Sequence, residues 1–511
     1  MEKVVLDGNS LTLNQFEEIV YGNCEVEISK DCIERINECR RIVEEIVDSE
    51  RVRYGINTGF GKFSDVSISK EDTLDLQRNI VLSHSVGVGK PLAIEVVRGM
   101  LLLKLNSFGT GNSGVRLVVA ELMRDMLNKG VTPVVPEKGS VGASGDLAPL
   151  SHMALVMIGE GEAFYNGERL AGKEALEKAG LNPLVLQEKE GLAILNGTQT
   201  MASLAAIGVL KAENLMKVAD ISGAISVEAL KGTSAAFDHR VQAVRPHKGQ
   251  INTAANLRGL LADSKISGDH ENYKKVQDAY SLRCMPQVHG AAKDTLRHVR
   301  SVVETELNSV TDNPLVFPDK QDVISGGNFH GEPLAMVCDF LAIAVHELSN
   351  ISERRIEYML DSATSDGLPA FLVSKGGLNS GYMMAQVTAA ALVSENKTLC
   401  HPSSVDSIPT SANKEDHVSM GTFAARKLQE VITNVTNVIA VEMLCSLQGL
   451  NYRMPLKPAK AVESVFNFVR EQIPFMETDR NIHLDMVKMA SLISDKSIVS
   501  MVEKDFLTLE V

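Results

Sequence analysis

Residues 428–449 read LQEVITNVTNVIAVEMLCSLQG. Leu428, Ile432, Val435, Ile439, Met443 and Leu447 recur at steps of three and four, the spacing of one helix face. The pattern runs past the usual 8–20 residues of a globular helix, and Gly449 is expected to end it. A second pattern starts at Glu332-Pro333, with proline in the first turn, where its missing N–H costs nothing. It continues through Phe340/Leu341, Ala344, Leu348 and Ile351. Tyr382 to about Leu399, 92–128 and 200–231 carry the same periodicity. Alanine and glycine on these segments let helices approach closely, which suits a large bundle. Strand signals are few. Lys3–Leu6 is one, and Ala163–Tyr165, Asn166-Gly167, Glu168–Leu170 is a hairpin whose two turn residues tolerate φ > 0. Strands and helices do not alternate regularly, which argues against a doubly wound sheet. The expectation is a mainly α, long-helix bundle.

Composition narrows the function. A chain of 511 residues suggests about three domains; the helical pattern replaces that prior with one continuous core. Lys plus Arg is 51 against 65 Asp plus Glu, a net charge of −14. That balance excludes nucleic-acid binding by general electrostatics. Aromatic content of 5% with no Trp leaves no base-stacking platform. An apolar share of 44% excludes disorder. No run of about 18 apolar residues stands out, so no membrane span is expected. The N-terminus, MEKVVLDGNS, lacks a secretory pattern, which points to the cytoplasm. The seven cysteines, Cys24, Cys32, Cys39, Cys284, Cys338, Cys400 and Cys445, form no Cys-x-x-Cys pair. They read as reduced, mostly buried thiols without a disulfide or metal framework. Asn196-Gly197-Thr198 matches a glycosylation sequon, read as accidental without a secretory signal.

Several segments could carry chemistry. Gly109-Thr110-Gly111-Asn112-Ser113-Gly114 matches G-x-G-x-x-G, but a helical pattern precedes it where a dinucleotide site needs a strand. A glycine-rich helix–helix turn is the better reading, with a nicotinamide-dependent oxidoreductase as its rival. Tyr54-Gly55-Ile56-Asn57-Thr58-Gly59-Phe60-Gly61 is either an active-site lid or a solvated loop. Ser83-His84 lies beside a glycine-rich turn. The sharpest string is Gly139-Ser140-Val141-Gly142-Ala143-Ser144-Gly145-Asp146-Leu147-Ala148-Pro149-Leu150. It is not a nucleophile elbow, because Gly145 directly follows the serine. Without a Cβ, Gly145 lets its nitrogen approach the Ala143 carbonyl carbon. Attack there with loss of water closes a five-membered ring, and loss of the Ser144 hydroxyl leaves an exocyclic methylidene. Ala-Ser-Gly is equally compatible with a small-residue turn, and a helical scaffold without chemistry is the corresponding alternative.

The longer string Gly142–Leu150 resembles the signature of the aromatic amino acid ammonia-lyases, which carry a 4-methylidene-imidazol-5-one (MIO) made from Ala-Ser-Gly. Leu195-Asn196-Gly197-Thr198, Gln277-Asp278-Ala279-Tyr280-Ser281-Leu282-Arg283-Cys284, Asp312-Asn313-Pro314, Gly326-Gly327-Asn328-Phe329-His330-Gly331 and Glu415-Asp416-His417-Val418-Ser419-Met420 match other family motifs in order. The resemblance covers essentially the whole chain. Within the family, Ser83-His84 and Glu415-Asp416-His417 resemble the members that act on histidine. Lys414 departs from the pattern, which has Gln before the glutamate, and places a cation beside Glu415.

The resemblance implies a fold, a reaction and a set of roles. The fold is a superhelical, mainly α bundle of the aspartase/fumarase type. A smaller mixed part, 1–220, would carry the MIO loop, and 221–511 would form the central and C-terminal bundle. The reaction is deamination of L-histidine to trans-urocanate and ammonia. A tyrosine or phenylalanine ammonia-lyase, or a 2,3-aminomutase, is the alternative within the family. Ala143, Ser144 and Gly145 would supply the only prosthetic group, with no metal and no exogenous cofactor. Tyr54 would be the general base, Arg283 would clamp the carboxylate, and Asn196 and Tyr280 would orient substrate and prosthetic ring. His84 and Glu415 would hold the imidazole, Phe329 would pack beside it, Gln277 would orient, and Asp146 would support the loop. A homotetramer with shared sites is implied, with neither nucleic-acid nor membrane partners.

Overall fold

A computed structural model describes residues 2–22, 24–49, 53–59, 63, 66, 68–69, 72–267 and 276–511. The fold is mainly α: the described residues form nineteen α-helices, and their short strands make only sheets of two or three. The longest helices are Gly421–Arg453, Gln199–Ala229, Glu332–Leu360 and Met285–Glu306. Leu428, Ile432, Val435, Ile439, Met443 and Leu447 are buried, and so are Val431, Val438 and Leu444 on other faces. Its first half keeps Glu430 and Thr433 exposed, whereas every residue from Val438 to Leu450 is buried, as in a helix that runs into the protein interior. Gly449 does not end it, contrary to the sequence expectation. A Cβ there would lie 3.2 Å from the Ala229 Cβ and 3.4 Å from Leu368 Cδ1, so this glycine serves close packing. The helix ends instead at Arg453, whose guanidinium donates to the carbonyls of Ala229, Ser365 and Asp366.

The expected 92–128 segment is two helices, Ile94–Phe108 and Leu117–Lys129. Gly109–Gly114 breaks them. Gly111 and Gly114 have φ of +80° and +73°, and a Cβ on Gly111 would sit 2.6 Å from the Arg35 Cβ. Arg35, on the helix Lys30–Asp48, donates to the Gly109 carbonyl at 2.8 Å. A helix precedes these glycines, and they serve a close helix contact, which removes the dinucleotide reading. The N-terminal strand Glu2–Leu6 pairs in parallel with Cys24–Ile28. The hairpin Glu162–Tyr165/Glu168–Ala171 turns at Asn166 and Gly167, both with positive φ, as expected.

Two helices, Glu332–Leu360 and Gly421–Arg453, are long and apolar enough to cross a membrane by length and composition, which corrects the expectation that no segment is. In both, most of the apolar stretch lies buried inside the protein, 67% and 72% respectively. All seven cysteines are free thiols. Burial pushes the Cys39 thiol up to about 12, so it is protonated and unreactive at neutral pH.

By internal contacts the chain divides into two interleaved units. The first comprises Met1–Ile207, Arg300–Asp339 and Pro402–Arg426; the second comprises Gly208–Val299, Phe340–His401 and Lys427–Val511. At the heart of the first lies Ile94–Phe108, buried at every residue from Val96 onward. The second is organised by buried ion pairs: Arg355 with Glu442, and Asp220 with Lys293 and His289.

Candidate active site

The Ala143-Ser144-Gly145 loop precedes the helix Leu147–Met157 and lies in the first unit. It is laid against Asn196-Gly197-Thr198. Gly145 bridges Gly197, the Asp146 N–H donates to the Gly197 carbonyl at 2.7 Å, and the Gly197 N–H donates to the Ser144 carbonyl at 3.4 Å. Gly145 has φ of +73°, and a Cβ would fall 2.1 Å from the Gly197 carbonyl oxygen. Only glycine fits, because both the backbone region and the space exclude a side chain. Gly145→Ala is therefore expected to lower stability by at least ~2 kcal/mol through loop displacement, read by denaturant titration.

Asp146 anchors the other side of the loop. Its carboxylate accepts from the Thr200 and Met201 N–H groups at 2.9 and 3.0 Å and from the Thr422 hydroxyl at 2.5 Å. Those amides open the helix Gln199–Ala229, so Asp146 caps a helix N-terminus from a distant segment. Burial pushes its pKa up to about 6, against the lowering effect of these bonds and of Lys104.

Ser144 opens into a cavity of about 240 Å³ lined by Ser83, His84, Thr410 and Glu415 among others. The Ser144 hydroxyl donates to Glu415 Oε1 at 2.9 Å, and Thr410 donates to Oε2 at 2.7 Å. Glu415 is presented by a turn in which Ser411, Ala412 and Asn413 all have positive φ. Three consecutive non-glycine residues there store backbone strain, as at many functional sites. His84 ends the helix Thr73–His84, with Nδ1 3.0 Å from the Ser83 hydroxyl. Burial lowers its pKa while Glu415 opposes, so His84 is neutral and offers one donor and one acceptor. Lys414 is exposed.

Asn196 is buried, and its amide donates to the Asn313 carbonyl at 2.7 Å. This joins the Asn-Gly-Thr segment to Asp312-Asn313-Pro314, where Asp312 pairs with buried Lys189 at 2.7 Å. Phe329 is half-buried in the same unit, as is Tyr54; Phe60 and Gly61 of the Tyr54 loop lie outside the described residues. The structure thus gathers Ser144, His84 and Glu415 around one cavity. Gln277, Tyr280 and Arg283 are carried by the second unit. Tyr280 is 70% exposed, and the Arg283 guanidinium stacks over its ring, 4.5 Å from the centroid. Arg283 Nε is buried without a partner among the described residues, a donor available to an anion.

Sequence reasoning missed Thr410, Thr422 and Lys104. Thr422 follows closely on the Glu415–Met420 motif, and Lys104 is a lone cation in the apolar run Met100–Leu105. That interruption is a readable signal, since a buried lysine needs partners.

An Ala-Ser-Gly turn facing a carboxylate and an imidazole in a mainly α chain defines a class, and comparison agrees. The chain belongs to the aromatic amino acid lyase family, whose model matches residues 11–471. It is 52% identical over 510 residues to a histidine ammonia-lyase from Caldanaerobacter subterraneus subsp. tengcongensis, covering 100% of both chains. The crystal structure of histidine ammonia-lyase from Trypanosoma cruzi superposes with a TM-score of 0.92 at 44% identity, over 98% of this chain and 95% of that one. Tyrosine aminomutase from Streptomyces globisporus superposes at 0.94 with 36% identity, over 99% and 100%.

Proposed function

We propose that this chain deaminates L-histidine to trans-urocanate and ammonia, as a carbon–nitrogen lyase. The observation that carries the reading is the cavity where the Ser144 hydroxyl meets Glu415 beside His84. An imidazole needs one donor and one acceptor, and a neutral histidine with a carboxylate answers that need. The aminomutase likeness, at lower identity, favours the tyrosine reading less than the full-length histidine relatives favour this one.

Ala143, Ser144 and Gly145 fit the MIO group: Gly145 is confined to glycine, and the Ser144 hydroxyl already donates to a carboxylate. Once formed, it supplies an electrophilic carbon that activates the substrate for loss of ammonia. The remaining work falls to side chains. Arg283 pairs with the substrate carboxylate through a planar fork. His84 and Glu415 fix the imidazole, Asn196 and Gln277 orient the substrate, and Phe329 packs against it. Tyr54 takes the β-proton, and Tyr280 orients the prosthetic ring. We place the enzyme in the cytoplasm as a homotetramer. Exposed Met336, Phe340 and Ile343 on one helix and Met384 and Val387 on another are apolar surface that association would cover.

Incubation with L-histidine, L-tyrosine and L-phenylalanine tests the reading. Urocanate absorbance is expected with histidine alone; accumulation of coumarate or cinnamate instead would overturn it. Digestion should yield a 143–145 peptide lighter by two waters. Glu415→Gln removes a charged acceptor, and kcat/KM for histidine is expected to fall ~10²-fold in steady-state assays.

A further inference from the structure

Lys104 lies in the middle of the buried helix Ile94–Phe108 and is 1% exposed. Its ammonium donates to the Ala193 carbonyl at 3.2 Å and, in a short contact, to the Asn196 carbonyl. These carbonyls close the helix Glu190–Leu195, where a cation complements the helix dipole. The Asn196 carbonyl belongs to the peptide unit whose N–H, on Gly197, donates to the Ser144 carbonyl. Gly197 in turn accepts the Asp146 N–H at 2.7 Å. One ammonium therefore grips the rail on which residues 144–146 are laid. A charge on the carbonyl side of a peptide also polarises its N–H, which strengthens the bond on the far side.

We propose that Lys104 is a positioning residue for the conversion of the Ala143-Ser144-Gly145 loop, acting through the Asn196–Gly197 peptide. The inference rests on the reading above that this loop becomes MIO. In that conversion the Gly145 nitrogen bonds to the Ala143 carbonyl carbon. The carbonyl oxygen leaves as water with the Gly145 and Ser144 amide protons, creating a C=N bond. The Ser144 hydroxyl then leaves with the Cα proton as a second water, creating the exocyclic C=C. Both steps need residues 143–145 held in a tight turn, which the Lys104-gripped rail provides. Burial pushes the Lys104 pKa down to about 7, with Asp312 and Asp146 opposing and Lys189 assisting. Keeping an amine here, which donates in its charged and its neutral form, costs desolvation that a purely packing residue would not incur.

The test follows conversion by mass, independent of turnover. Wild type, Lys104→Gln and Lys104→Met are purified as folded protein, matched by gel filtration and cooperative melting. The fraction of the 143–145 peptide lighter by two waters is measured against time after synthesis. Lys104→Gln, which keeps a neutral donor, is expected to convert about tenfold more slowly than wild type, and Lys104→Met more slowly still. Partial rescue by Gln over Met marks a hydrogen-bonding role and not mere filling of space. Wild-type conversion rates in either variant would overturn the proposal. Failure of both variants to fold would also overturn it, by making Lys104 a stability residue. An unconverted wild type would instead overturn the reading of the loop itself.

Discussion

Ser144→Ala is expected to reduce deamination by at least ~10³-fold, ~4 kcal/mol in the activation barrier, while leaving the fold nearly unchanged. The chemistry fixes the first half of that expectation. Alanine has no hydroxyl to lose, so the second dehydration cannot occur and no exocyclic methylidene forms. The ammonium then departs unactivated, and only binding and proton removal remain. A positioned base contributes typically ~10²–10⁴-fold alone, which leaves a small residual rate. The structure fixes the second half. Ser144 is only partly buried and its hydroxyl makes one side-chain bond, to Glu415 Oε1. Glu415 faces the cavity and keeps its bond from Thr410, so no carboxylate is stranded in apolar surroundings. The loss in stability is expected to stay below ~1 kcal/mol. Urocanate absorbance, the melting temperature and the mass of the 143–145 peptide separate these effects. That peptide should lose at most one water. Retained deamination would remove the electrophile from the mechanism. Gly145→Ala differs, because it should damage activity and stability together.

The helical class was legible because the decisive segments repeat one pattern over many turns. Leu428 to Leu447 is periodic enough that any register other than a helix would expose it. The misreading came from a glycine: Gly449 resembled a stop, yet it sits where a Cβ would come within 3.2 Å of Ala229. At Gly109–Gly114 the helix–helix turn was the better reading, and Gly111 leaves no room for a Cβ beside Arg35. Such neighbours are distant in sequence: Ala229 for Gly449 and Arg35 for Gly111. The parallel partner of Glu2–Leu6 was equally invisible, since pairing adds no local signal. At the site, Ser144, His84 and Glu415 were readable through motifs, and the cavity joins them. Thr410 and Thr422 were not, because a threonine that donates to a carboxylate looks like any other threonine. Their role depends on the strained turn at Ser411–Asn413 and on the helix Gly421–Arg453, which only tertiary structure specifies.

The second large effect lies in stability. Arg355 and Glu442 are both fully buried in the second unit. Arg355 donates to Glu442 Oε1 at 2.5 Å and to Oε2 at 2.9 Å, a forked geometry that lysine could not reproduce. Ser226 donates to Oε1 at 2.6 Å, and Arg355 also reaches the Ser281 carbonyl at 3.2 Å. Burial alone would raise the Glu442 pKa, but the charge and bonds of Arg355 prevail and hold it below the usual carboxylate range. A carboxylate whose folded pKa is depressed stabilises above its unfolded pKa. That contribution is lost as pH falls through the folded value, so this pair should make the second unit sensitive to acid. Arg355→Met leaves a buried carboxylate without its cation, at a cost of ~3–5 kcal/mol. Glu442→Leu strands the guanidinium at similar cost. The double variant removes both charges and should recover most of the loss, because desolvation of the pair offsets much of its attraction. Denaturant melts of the two singles and the double form a cycle whose coupling should exceed ~2 kcal/mol. Additive losses would show that the two charges do not depend on each other. Ser281 lies between Tyr280 and Arg283, so displacement of Arg355 also withdraws a donor from the segment carrying both residues. Arg355→Met is therefore expected to raise KM for histidine even where the protein remains folded, measured well below its melting temperature.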